Sequence, residues 1–207
     1  MSTDLTQQVQ TAKAAGPVVA TPAELDEALI REIAKGNQLA MRTLFLRHQV
    51  RVYRFILRMV RDRGMAEDVL SEAFLDVWRR ADRFEGRSAA STWILSIARH
   101  KALTALRRQP IGALDGGDAL LDIADPARDP EAEMRKNENE TILRCCLNAL
   151  SAEHGEMIDL VYYQQKSINE IAEILGIPVN TVKTRMFYAR KRLGMLLEAA
   201  GLDHSRV

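Results

Sequence analysis

The side chains best placed for chemistry in this sequence are hydrogen-bond donors rather than nucleophiles. Residues 183–192 carry Lys183, Arg185, Arg190, Lys191 and Arg192 with no acid among them, interleaved with Thr184, Phe187 and Tyr188. An Arg or Lys can donate to phosphate or to guanine, and Thr or Phe can meet a thymine methyl. A second basic stretch, residues 79–108, holds eight Lys or Arg against two acids, Asp82 and Glu85, a local charge of +6. There Phe84 and Trp93 stand among Arg83, Arg87, Arg99, His100, Lys101, Arg107 and Arg108. Cations interleaved with rings can hold phosphates and stack unpaired bases. Because Trp93, Ile94 and Ile97 share helical spacing, Trp93 fits a core position as well as a contact.

Reaction chemistry has no comparable footing. The four histidines, His48, His100, His154 and His204, are scattered, and there is neither a phosphate-cradling glycine loop nor a nucleophile elbow. Cys145 and Cys146 are adjacent, and neighbours on a helix point in different directions, so neither a mutual disulfide nor a zinc site is expected. The expectation is a binding protein that is not an enzyme, with no cofactor and no metal.

Helices must position these donors. Leu, Ala, Arg and Glu dominate while aromatics are 5% of the chain, a balance that favours helix over sheet. Order is expected to begin at Thr21, a capping oxygen followed by Pro22 at the first helical position and Glu24 completing a capping box. That helix should reach Lys35 and stop at Gly36, with Asn37 capping the next. In the second helix Leu39, Leu44, Leu46, Val50, Tyr53, Phe55, Leu57 and Val60 are spread among five arginines, and Gly64 is expected to break it. A third helix should run to about Arg80. Gly86 and Ser88 mark a loop before a fourth, over about residues 91–108.

In the third helix Asp68, Glu72 and Asp76 recur every four residues beside Val69, Ala73 and Val77, with Phe74 and Trp78 alongside. This sets an acidic stripe next to an apolar one. It is either a solvated amphipathic surface or a docking face for a basic helical partner.

Near the C-terminus, Ser167 and Glu170 form another capping box, Ile168, Ile171 and Leu175 an apolar face, and Gly176 a helix stop. Ala172, Gly176 and Val182 have helix-turn-helix spacing, with a small residue where the helices touch, a turn glycine and an apolar anchor. The second helix of such a unit lies in the major groove. Here it would present Asn180, Thr181, Lys183, Thr184, Arg185, Phe187, Tyr188, Arg190 and Lys191. A supporting helix capped by Ser151 is expected before it.

Between the basic blocks, residues 111–134 hold seven acids against Arg128 alone, giving −6, so the overall charge of +1 conceals strong segregation. The organisation expected is all-α: a flexible tail (1–20), a helical domain (21–110), a flexible acidic linker (111–130), a helix-turn-helix domain (131–199) and a tail (200–207). No signal peptide and no membrane-spanning stretch is evident, so a cytoplasmic protein without membrane insertion is expected.

These segments together resemble an extracytoplasmic-function sigma factor of the sigma-70 family. DRGMAEDVLSEAFLDVWRR (62–80) resembles the region that binds the clamp helices of the RNA polymerase β′ subunit. TWILSIARHKALTALRR (92–108) resembles the −10 reader, and residues 150–193 resemble the −35 reader. The resemblance implies a sigma-2 bundle that binds core polymerase through Asp68, Val69, Glu72, Phe74, Asp76, Trp78 and Arg79. It implies −10 contacts from Arg83, Phe84, Arg87, Ser88, Trp93, Arg99, His100, Lys101, Arg107 and Arg108, with the 84–90 loop receiving a flipped base. It implies a sigma-4 domain that binds −35 DNA through the second-helix residues named above and meets the β flap. The acidic connector would thread toward the RNA exit channel. With no further domain after Leu197, control is expected from a separate anti-sigma protein over a stress-type regulon. The chain departs from the family pattern at His100, where many relatives carry Asn, and at Ser71, where many carry Gln.

Two other functions fit parts of the sequence. A free-standing helix-turn-helix regulator would bind a pseudo-palindrome as a dimer without polymerase. An adaptor that only sequesters a protein would leave the basic stretch 99–108 without a use.

Overall fold

The computed structural model describes residues 21–108 and 130–201, with side chains of the second stretch described from residue 139. Among the described residues eight α-helices run in order: α1 (Pro22–Ala34), α2 (Gln38–Val60), α3 (Arg63–Arg80), α4 (Ala90–Arg108), α5 (Pro130–Asn148), α6 (Ala152–Ile158), α7 (Ile168–Leu175) and α8 (Val179–Ala199). A 3-10 turn, Ala81–Arg83, follows α3, and a π-helical turn, Asp159–Tyr163, follows α6. No strand occurs among the described residues. The two expected tails and the acidic linker lie outside them, apart from Pro130, Ala200 and Gly201.

Helix starts follow local hydrogen bonding. At α1 the Thr21 hydroxyl accepts from the Glu24 amide at 3.3 Å, and the Thr21 amide donates to Glu24 Oε2 at 2.7 Å, so two otherwise orphaned donors are satisfied reciprocally. Asn37 Oδ1 accepts from the Leu39 and Ala40 amides. The boundary between α2 and α3 differs from expectation. Arg61, in the left-handed region at φ 56°, ends α2, and the Asp62 carboxylate caps α3 by accepting from the Met65 amide at 2.6 Å. Gly64 therefore lies inside the first turn of α3. A capping carboxylate three residues before a free amide outweighs the modest helix penalty of one glycine.

The first four helices bury Leu44, Phe55, Ile56, Val77 and Ile94. Leu39, Leu46 and Val50 of α2 face outward instead. Buried Asp26 joins α1 to α2, accepting from Arg47 Nε at 2.7 Å and pairing with His48 Nε2 at 2.7 Å. Burial pushes the His48 imidazole below its ordinary pKa, against the pull of Asp26.

The C-terminal helices bury Met157, Leu160, Ile171, Val182 and Ala189. Gly176, at φ 66°, closes α7, and Pro178 precedes α8. Val182 is fully buried and Ala172 packs, partly buried, against the same core, and α7 and α8 are in contact. The two helical units share one continuous apolar cluster, and α7 packs against α4.

Candidate nucleic-acid interface

Helix α8 offers the clearest surface for DNA. Lys183, Thr184, Phe187, Tyr188, Arg190 and Lys191 are exposed along it, with Asn180 exposed and Thr181 half-buried at its start. Val182, Met186 and Ala189 recur every three or four residues and are buried, which turns the intervening positions outward. The Phe187 and Tyr188 rings meet edge to face at 5.4 Å between centroids. Arg185 is half-buried and lies 3.8 Å from Glu153 of α6; Glu153 is largely exposed, so this pair competes weakly with any other partner. The face can donate to phosphates and base edges.

The −10 candidates are distributed unevenly. Arg83, Arg87, His100, Arg107 and Arg108 are exposed, while Ser88 is half-buried. Arg87 Nε lies 2.9 Å from Glu85 Oε2. Phe84 and Trp93 are half-buried and pack on each other at 5.1 Å between ring centroids, so each ring offers only part of its surface for stacking. Arg99 and Lys101 are already engaged. Arg99 makes a bidentate pair with Glu156, at 2.6 and 3.3 Å. Lys101 Nζ lies between Asp76 and Glu72.

The proposed polymerase face on α3 divides in two. Asp68, Glu72 and Arg79 are exposed and Trp78 is half-buried. Val69, Phe74 and Asp76 are buried, at 3%, 3% and 6% exposure, and in this conformation they cannot form a contact surface. Phe74 meets Phe45 edge to face at 4.9 Å, while Asp76 pairs with Arg80 and Lys101. The i, i+4 stripe is real as helix geometry, but α4 covers its C-terminal end.

Sequence spacing gave no signal for a polar seam between the units. Asp159, only 2% exposed, accepts from Arg58 Nη1, and the Arg58 guanidinium lies 3.9 Å over the Tyr163 ring. Burial pushes the Asp159 carboxyl up to about 6, with Arg58 and Gln164 pulling the other way. Lys166 Nζ reaches Ser91 Oγ at 2.6 Å, Thr92 Oγ1 at 2.9 Å and Glu170 Oε1 at 3.0 Å. Thr92 in turn donates to Glu170 at 2.7 Å. Burial acts to raise the Glu170 carboxyl, but hydrogen bonds from Thr92, the Ser167 amide and Lys166 outweigh it and hold the group at about 2. The seam partners are separated by 57 to 101 residues for the two arginine pairs, beyond any local periodicity. One signal was available: Asp159 is a lone carboxylate in the otherwise apolar run MIDLV.

Among the described residues no cluster of His, Cys, Asp and Glu is arranged to hold a metal, and no helix is long and apolar enough to cross a membrane. Cys145 is exposed and Cys146 buried, both as free thiols.

Comparison with known proteins accords with this architecture. Residues 44–110 match the family model for sigma-70 region 2, and residues 140–193 match that for sigma-70 region 4. The chain is 30% identical over 187 residues to the RNA polymerase sigma-H factor of Pseudomonas aeruginosa, covering 84% of this chain and 95% of the relative. It is 28% identical over 176 residues to the ECF RNA polymerase sigma factor SigK of Mycobacterium tuberculosis, covering 84% and 94%. Among solved structures, CnrH in complex with the cytosolic domain of CnrY matches with a TM-score of 0.62 at 23% identity, over 84% of this chain and 98% of that one. The sigma factor RpoE of Bartonella quintana, solved with the anti-sigma factor NepR, matches with a TM-score of 0.56 at 24% identity, over 76% and 96%. The chain therefore belongs to the sigma-70 family, as a promoter-recognising RNA polymerase sigma factor of the extracytoplasmic-function kind.

Proposed function

We propose that residues 21–110 form the core-binding and −10-binding domain and residues 131–199 the −35-binding domain. In this assignment α8 enters the major groove of the −35 element through Asn180, Lys183, Arg185 and their neighbours. Helix α4 and the 84–90 loop meet the −10 element, with Phe84 and Trp93 beside the flipped base. The exposed part of α3, centred on Asp68 and Glu72, meets the β′ clamp helices, and the C-terminal unit meets the β flap. The observation that carries the proposal is the exposed cationic face of α8, on the second helix of a helix-turn-helix, together with a second basic helix on a separate unit.

The protein acts by binding and not by catalysis, in the cytoplasm. Each DNA contact alone is modest, and polymerase converts them into a joint event by holding both units on one promoter. Melting at −10 costs unstacking energy of a few kcal/mol per step, which capture of an extruded base partly offsets. The tether suits this geometry: the 21 residues 109–129 can span at most ~75 Å at ~3.3–3.6 Å per residue. An anti-sigma protein is proposed to hold the chain in check, by analogy with the RpoE complex with NepR.

Run-off transcription tests the assignment. Core polymerase with this protein should yield a transcript whose amount falls when either the −35 or the −10 element is substituted. A transcript indifferent to both elements would contradict it.

A further inference from the structure

Helix α2 carries five arginines, Arg42, Arg47, Arg51, Arg54 and Arg58, and no acid. The last four are spaced so that, at ~100° of turn per residue, they fall within about 60° of one another on a single face. Like charges at this spacing repel, so the stripe calls for anions. Its two ends have them. Arg47 Nε donates to Asp26 Oδ1 at 2.7 Å, and Arg58 donates to Asp159 Oδ1. Both oxygens of each carboxylate are engaged, because Asp26 Oδ2 also holds His48 and Asp159 Oδ2 accepts from Gln164. Neither acid can serve the middle of the stripe as well.

The middle pair differs. Arg51 is exposed and Arg54 half-buried, and among the described residues no carboxylate pairs with either, while the Arg54 Nε is buried without an acceptor. A buried donor left without an acceptor is costly. Turning the guanidinium toward an anion removes that cost, since Nε and a terminal nitrogen then donate together as a fork. One wall beside the pair is fixed. The Gln164 side chain, 5% exposed, donates to the Arg51 carbonyl at 3.4 Å, and the Tyr163 ring lies 3.9 Å from the Arg58 guanidinium. The chemistry of the pair selects the ligand. A carboxylate has two oxygens and is satisfied by one fork, whereas a phosphate has a further oxygen to place on a second fork about one helical turn away.

We propose that Arg51 and Arg54, between the Asp26 and Asp159 ion pairs, form a binding site on α2 for a phosphate group. That chemistry is shared by free pyrophosphate or a nucleotide and by a DNA backbone. None of the residues assigned above to polymerase or to either promoter element lies on α2, so the site does not rest on those assignments. An arriving phosphate meets two guanidiniums for which no described carboxylate competes, and its charge relieves the repulsion along the helix.

Nuclear magnetic resonance of the arginine Nε–H groups in the full chain decides it, with pyrophosphate titrated against sodium chloride at equal ionic strength. The Arg51 and Arg54 signals should shift and saturate with pyrophosphate but not with chloride, while those of exposed Arg42 and Arg107 should drift without saturating. Arg54→Lys keeps the charge and loses the fork, and it should raise the saturation midpoint by about tenfold or more. Shifts that never saturate, or that are alike at all four arginines, would overturn the site, and so would an unchanged midpoint in a folded Arg54→Lys protein. If that variant loses its thermal transition, the contrast between pyrophosphate and chloride in the unaltered protein still decides. Once saturation is seen, a second measurement assigns the source of the phosphate. With Arg51→Gln and Arg54→Gln in the polymerase complex, the slope of log affinity for promoter DNA against log salt should fall by about 1 to 2 if the backbone occupies the site. An unchanged slope assigns the site to a free phosphate compound.

Discussion

Lys101 Nζ stands 3.2 Å from Asp76 Oδ2, linking the basic helix α4 to the acidic stripe of α3. Glu72 lies at 3.6 Å from the same nitrogen and Arg80 at 3.2 Å from the same carboxylate. One buried acid thus organises cations from both helices. Asp76 belongs to the framework beneath the proposed polymerase face, and Lys101 is already engaged by it.

Replacing Asp76 by Ala should cost about 2–3 kcal/mol of stability, below the ~3–5 kcal/mol of a wholly buried pair because Arg80 is largely solvated. A urea titration followed by circular dichroism measures it, and an unchanged midpoint would show that the cluster contributes nothing.

Reversing the exposed acids, Asp68→Arg with Glu72→Arg, should abolish core-polymerase binding while leaving the thermal midpoint within a few degrees. Neither side chain is buried; the Glu72 ion pair with Lys101 at 3.6 Å is lost, but Lys101 keeps Asp76 at 3.2 Å, so the packing of α3 on α4 is retained. Undiminished co-elution with the enzyme would remove α3 from the docking site.

At the −35 element, Arg185→Ala should weaken binding by about 1–3 kcal/mol and relax preference at one base pair. Competition among duplexes substituted one position at a time gives the readout. Uniform weakening across all of them would instead make Arg185 a phosphate contact.

The seam carboxyls should titrate in opposite senses. Asp159 has its folded pKa raised to about 6 from 3.8, so the folded state binds the extra proton. The stability of the unaltered protein relative to Asp159→Asn should therefore fall as pH rises from about 4 to about 6. Glu170 is lowered to about 2 from 4.5, and its contribution is present above about pH 4.5 and lost as pH falls toward 2. Relative to Glu170→Gln, the unaltered protein should lose stability on acidification through that window. Denaturation of each pair across pH provides the comparison, and slopes of the same sign would contradict the burial assigned to Asp159.

In the helix-turn-helix, Gly176→Ala should cost about 1–2 kcal/mol. A Cβ there meets no atom within 4 Å, and the cost comes from the left-handed backbone at φ 66°. Asn at the same position should recover part of the loss in a melting experiment.

Local chemistry made much of the fold legible. The capping boxes at Thr21 and Ser167, the Asn37 cap and the Gly176 stop depend on residues three or four apart, and sequence displays such spacing directly. The α2 to α3 boundary differs from what Gly64 suggests because the left-handed residue is Arg61, which has no special propensity for that region. Periodicity identifies the α3 stripes but not which are covered, since Asp76 is held by Lys101 of α4, 25 residues along the chain. The exposed cations of α8 were legible because Val182, Met186 and Ala189 fix the opposite face. Arg99 was legible as a cation but not as the partner of Glu156, because contacts between separate units leave no mark in local spacing.

A sigma factor works only as a polymerase subunit, and co-elution of purified protein with core RNA polymerase at low salt measures that association. A stable one-to-one complex that the Asp68→Arg, Glu72→Arg variant fails to form is the predicted result. A folded protein that elutes apart from the enzyme, or that binds a pseudo-palindromic duplex as a dimer without it, would be incompatible with a polymerase subunit.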